Sequence, residues 1–75
     1  MLKFKFKQLL AEKEFKDGKT VSITEVAKAT GINRMTLSKI ANKKGQSTVT
    51  DNLDKLCAYF ECEISDLVEY VEDEQ

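Results

Sequence analysis

The chain has no histidine and no proline, and only two cysteines and three glycines in 75 residues. Without histidine there is no imidazole base and no histidine-ligated metal. Cys57 and Cys62 are too few for a zinc site, and four intervening residues is a poor spacing for one. No metal and no cofactor is expected. A disulfide between them is not expected in a reducing cytoplasm. Cys57 follows Leu56 on an apolar helical stripe and reads as a small core residue. Long apolar runs are also missing, since nothing reaches the roughly 18 residues of a membrane span. Residues 1–7 alternate Lys with apolar side chains, which is not the pattern of a signal peptide. The expectation is a soluble, cytoplasmic protein with no membrane partner.

What is present is globular in composition, with 41% hydrophobic and 33% charged residues. Residues 1–75 read as one small domain, burying about 60% of its unfolded surface. That length leaves no room for a ligand-sensing domain, so no small-molecule ligand is expected. The net charge of −1 hides a strong asymmetry. Residues 1–44 hold eleven Lys and Arg against four acids, a net of +7, whereas the remainder holds Lys55 against nine acids, a net of −8. A basic front and an acidic back orient a molecule in the field of a polyanion, although both are equally compatible with ordinary solvated faces.

Leu2, Phe4 and Phe6 alternate with lysines, which suggests a short strand. Phe6, Leu9 and Leu10 then fall at helical spacing, predicting a first helix over residues 6–14, ended by a turn-rich stretch around Asp17-Gly18. Ser22 and Glu25 have the form of a capping box. Ile23, Val26, Ala27 and Thr30 follow on one helical face, and Gly31 stands where a left-handed residue stops a helix. Asn33, one residue beyond Ile32, is the next N-cap, opening a third helix to about residue 42 with Leu37, Ile40 and Ala41 inward. Residues 42–48 read as a polar loop. Thr50 is the expected cap of a fourth helix carrying Leu53, Leu56, Cys57 and Phe60. Glu63 or Ser65 opens a last short helix through Leu67 and Val68, and the acidic tail from residue 70 is expected to fray.

The segment SITEVAKATGINRMTLSKIAN (residues 22–42) resembles the helix-turn-helix of Cro/repressor-type DNA-binding domains, also called the XRE family. Small Ala27 suits a close helix crossing, Gly31 suits the turn, and Val26, Ile32, Leu37 and Ile40 pin the second helix to the core. LDKLCAYFECEISDLVEYV (residues 53–71) is similar to the C-terminal helix pair of short, phage- and mobile-element-associated members. The resemblance implies an all-α, five-helix fold with a small antiparallel pairing of residues 2–5 with about residues 70–72. Two features depart from the family. Members often place Gln at the first residue of the second helix to grip a phosphate, where this chain has Ile23. The stretch from Phe15 to Val21 is also longer than usual, and its Lys16 and Lys19 are either extra backbone contacts or parts of a plain loop.

Given the motif, the third helix presents a stripe of Met35, Ser38, Lys39 and Asn42 opposite its core face, with Arg34 beside it. A major groove about 12 Å wide admits such a helix. Arg34 or Lys39 suits guanine, Asn33 or Asn42 adenine, and Met35 a thymine methyl. Each also has an ordinary role: Asn33 as a helix cap, Asn42 as a helix end, and Arg34 and Lys39 as solvated charges. Thr24, Lys28, Thr36, Lys43, Lys44, Gln46 and Ser47 are candidates for phosphate contact, which sets register without reading sequence. One short recognition helix suggests a homodimer on a pseudo-palindromic operator with half-sites about 34 Å apart. Tyr59, Phe60 and Val68 are candidates for the dimer surface, with core packing as their ordinary role.

The leading reading is a sequence-specific regulator of transcription that binds double-stranded DNA, expected to act as a repressor. The alternative is a protein-interaction module on the same fold, such as an antitoxin-like or accessory subunit. An enzyme is not expected, because no spacing forms an acid–base pair, a P-loop or a nucleophile constellation.

Overall fold

A computed structural model describes residues 1–43 and 47–72. The elements are β1 (Leu2–Phe4), α1 (Phe6–Asp17), α2 (Ile23–Thr30), α3 (Arg34–Asn42), α4 (Thr50–Phe60), α5 (Ile64–Leu67) and β2 (Val68–Tyr70). Five helices with a two-stranded antiparallel sheet is the expected architecture. Its core is a single cluster in which α1 gives Phe6 and Leu9, α2 gives Val26, α3 gives Leu37 and Ile40, α4 gives Leu56 and α5 gives Leu67. Each fully buried side chain of this size contributes about 1.5–3 kcal/mol. Val21 and Ile32, from the two connections flanking α2, join the same cluster and so fix α2 at both ends.

Helix α1 is longer than its sequence pattern suggests, running to Asp17 rather than Glu14. Its stop is Gly18, left-handed at φ 70°, whose amide donates to the Glu14 carbonyl at 2.9 Å. Lys13 and Asp17 pair at 3.1 Å across the last turn. Beyond Gly18, the Glu14 carboxylate reaches forward to accept the Val21 amide at 2.8 Å, tying down the connection. The extension leaves Phe15 on the outer face, 91% exposed.

Three other boundaries differ from expectation. Thr50 lies inside α4, and the cap position belongs to Val49, which makes no side-chain cap bond. The nearby Thr48 hydroxyl instead accepts from the Asn52 side-chain amide at 2.9 Å. Val68 is not part of α5 but leaves it in extended geometry and opens β2. The strand pairing therefore sits two residues earlier than inferred, with Leu2 opposite Tyr70, Lys3 opposite Glu69 and Phe4 opposite Val68. The register is set where α5 ends, because the Lys5 amide donates to the Leu67 carbonyl at 2.7 Å. Tyr70 consequently belongs to a strand, and the pairing continues to Met1 and Val71.

Helix α4 ends in a pair of backbone bonds around Glu61, left-handed at φ 53°. Cys62 N–H donates to Cys57 C=O at 3.0 Å, and Glu61 N–H to Ala58 C=O at 3.3 Å. This turn normally brings the residues at both ends of the longer bond into apolar contact. Here they are the two cysteines, both free and half-buried. Burial, with Cys57 alongside, pushes the Cys62 thiol up to about 11. Cys57 packs against the core as its sequence position implies. Phe60 meets Phe6 edge-on at 5.7 Å, Tyr59 meets Phe60 at 5.0 Å, and the Lys13 ammonium lies 4.9 Å over the Tyr59 ring. Tyr59, Phe60 and Val68 are thus half-buried side chains packed on the core.

Candidate nucleic-acid interface

The connection between α2 and α3 is three residues long and fully specified by local chemistry. Ser22 caps α2, its hydroxyl accepting the Glu25 amide at 3.1 Å, which forms one arm of the anticipated capping box. At the other end Gly31, at φ 78°, takes the left-handed geometry that closes the helix, and its amide donates to Ala27 at 2.8 Å. Thr30 was visible in the sequence only as part of the α2 face. Its hydroxyl donates to the Val26 carbonyl at 2.7 Å and accepts from the Ile32 amide at 3.2 Å. Ile32 drops into the core, and Asn33 then caps α3, its side-chain oxygen accepting the Met35 amide at 2.7 Å. Two helices of eight and nine residues are thereby held at a fixed angle.

Helix α3 divides as its spacing predicts. Leu37 and Ile40 are buried and Ala41 is half-buried. On the other side Arg34, Met35, Lys39 and Asn42 are exposed and Ser38 is half-buried. Met35 is 67% exposed, an unusual amount for an apolar side chain of its size. Two cations and no acid lie on this helix.

Hydrogen bonding restricts what the two asparagines offer. Asn33 commits its side-chain oxygen to the cap, leaving its amide protons as donors. Asn42 places its amide nitrogen 2.9 Å from the Ser38 carbonyl and 3.4 Å from the Ser38 hydroxyl, leaving its oxygen as an acceptor. A two-bond grip on adenine needs a donor and an acceptor on one amide. The Asn33 oxygen keeps a second lone pair and the Asn42 nitrogen carries two protons, so each side chain meets a base with part of its capacity already in use.

Around this stripe Thr24 and Lys28 are exposed on α2, Lys43 is exposed just past α3, and Ser47 is exposed beyond it. Thr36 is half-buried. Lys44 and Gln46 lie outside the described residues. Lys16 and Lys19 are exposed at the end of α1 and just after it. Ile23 lies on the apolar face of α2 and stands where Gln is common in the family. It is half-buried, and together with Thr24, Arg34, Met35 and Ser38 it lines an open depression of about 290 Å³ between the first turns of α2 and α3.

The family model of the Cro/C1-type HTH DNA-binding domain matches residues 5–73, from the foot of β1 to beyond β2. The chain belongs to this family. Among curated proteins, the Cro/C1-type chain is 33% identical over 54 residues to YozG of Bacillus subtilis (strain 168), an uncharacterized HTH-type transcriptional regulator. The match covers 72% of this chain and 64% of YozG. No solved structure matches. Among the described residues, no helix is long and apolar enough to cross a membrane.

Proposed function

We propose that the protein is a sequence-specific transcriptional regulator that inserts α3 into the DNA major groove and acts as a repressor by occluding a promoter. The observation that carries this reading is the outer face of α3. Arg34, Met35, Lys39 and Asn42 stand exposed with no acid among them, on a helix held by an all-local turn. Membership of a DNA-binding family and the regulator name of the Bacillus relative support the same reading. Arg34 and Lys39 are the proposed guanine contacts, and Asn33, Ser38 and Asn42 further base contacts. Thr24, Lys28, Thr36, Lys43, Lys44, Gln46 and Ser47 are proposed to hold phosphates. The role is one of binding, with no catalytic step.

A short helix reads few base pairs, so the active form is proposed to be a homodimer on a pseudo-palindrome. With Tyr59 and Phe60 packed inward, one apolar surface open to a second copy is the depression of Leu53, Cys57 and Ile64 between α4 and α5. Ile64 is 54% exposed there. That depression alone falls short of the roughly 800 Å² per partner of a standard interface, so a dimer draws on further surface as well.

Selection from a random duplex library, followed by anisotropy titration against a scrambled duplex, tests the reading. The expected result is an enriched pseudo-palindrome bound far more tightly than the scramble, with Lys39→Ala weakening that preference. Equal, weak binding to both duplexes sinks it. The exposed Phe15 favours a second reading, an accessory or antitoxin-like module serving a protein partner. Failure of selection together with a partner that no longer binds Phe15→Ser protein would establish that alternative.

A further inference from the structure

The depression between α2 and α3 is built of unlike parts. Ile23 forms one wall, half-buried and packed against the core, and the exposed Met35 forms the other. Thr24, Arg34 and Ser38 complete the lining. Both walls are held by helix caps. Asn33 binds the Met35 amide at 2.7 Å, and Ser22 binds the Glu25 amide in the turn that carries Ile23. The caps fix the backbone that carries both walls, so Ile23 and Met35 flank the depression as its two apolar members before anything enters it.

We propose that this notch receives the 5-methyl group of a thymine, making Ile23 and Met35 specificity-determining residues. The inference rests on α3 lying in the major groove. Of the groups that unmodified base pairs present there, the thymine methyl is the apolar one, while the others are hydrogen-bond donors and acceptors. Ile23 itself offers a phosphate no hydrogen bond, unlike the Gln common at this place in the family, so the position gives an apolar surface where a backbone grip is usual. The surroundings suit a polyanion. Arg34 lies in the lining, Lys28 and Lys39 are exposed nearby in sequence, and residues 1–44 carry a net of +7. Arg34 beside the notch is placed to bond the base pair next to that thymine.

The test removes one methyl group at a time. In the duplex recovered by selection, each thymine is replaced singly by deoxyuridine and affinity is measured for the full chain and for Met35→Ala. The notch predicts one position per half-site at which deoxyuridine weakens binding about fourfold, the value of burying one methyl group. In Met35→Ala that penalty falls below twofold while other positions are unchanged, and Ile23→Ala gives the same loss of discrimination. Circular dichroism and melting of both variants separate this from misfolding, and the exposed Met35 is the variant expected to fold normally. A selected duplex bound with indifference to every thymine methyl overturns the notch and leaves major-groove binding standing. So does a penalty that survives undiminished in Met35→Ala. Failure to select any duplex overturns the underlying reading, and the notch with it.

Discussion

The Thr30 hydroxyl accepts the amide proton of Ile32 at 3.2 Å while donating to Val26, so one side chain closes α2 and turns the chain into the core. Replacing Thr30 with Val keeps the shape and leaves the Ile32 amide without this partner. The cost expected for a part-buried amide is about 1–3 kcal/mol. Urea denaturation reads it, and a midpoint equal to wild type would show that water substitutes for the hydroxyl.

At Gly31 the penalty for a side chain is conformational alone. A methyl group built there meets nothing within 4 Å, but φ is 78°. Gly31→Ala is expected to lose about 1–2 kcal/mol, and Gly31→Asn less, because Asn tolerates left-handed geometry. If both variants lose the same amount, crowding or loss of the turn is responsible instead.

Lysines differ in what they already hold. Lys43 is exposed just past α3, whereas Lys13 is paired with Asp17 and lies over the Tyr59 ring, its pKa raised chiefly by the Asp17 hydrogen bond. On a selected duplex, Lys43→Ala should reduce the slope of log affinity against log salt by about 0.9, one phosphate contact. Lys13→Ala should leave the slope unchanged. Equal effects from both would mean that general charge, not contact, governs binding.

The Cys62 thiol has its own pH signature. Burial raises it to about 11 in the folded protein, with Cys57 adding to the effect. Between the ordinary thiol range and 11 the folded state therefore binds this proton more often than the unfolded chain. Stability from this group is complete below pH 9 and is lost as pH rises toward 11. Melting temperature should fall across that window more steeply in wild type than in Cys62→Ala. Parallel curves would locate the thiol in a more solvated place.

Much of this fold is legible in the sequence because it is local. Ser22, Gly31 and Asn33 announce the caps they form, and the spacing of Leu37 and Ile40 fixes which face of α3 remains outside. Other features depend on contacts that no local pattern records. The span of α1 hid its last turn, because Phe15 is apolar without being buried. Val68 reads as the next helical residue, yet the bond from Lys5 to Leu67 draws it into a strand. Thr50 looks like a cap by residue type, but the chain reaches extended geometry one residue earlier, at Val49. At the interface the residue types were readable and their bonding was not. The engaged amides of Asn33 and Asn42, and the depression that Ile23 and Met35 both line, depend on how neighbouring turns are placed.

The short sheet has a mechanical consequence. Its strands run antiparallel, with Met1 joined to Val71 at the outer end and Lys5 to Leu67 at the inner. A load drawn between Met1 and Val71, across the outer end, opens it as a zip, one cross-strand pair at a time, instead of shearing the whole ladder at once. Tension is then relieved by peeling β1 from β2, while the turn at Gly31 and the exposed face of α3 keep their geometry.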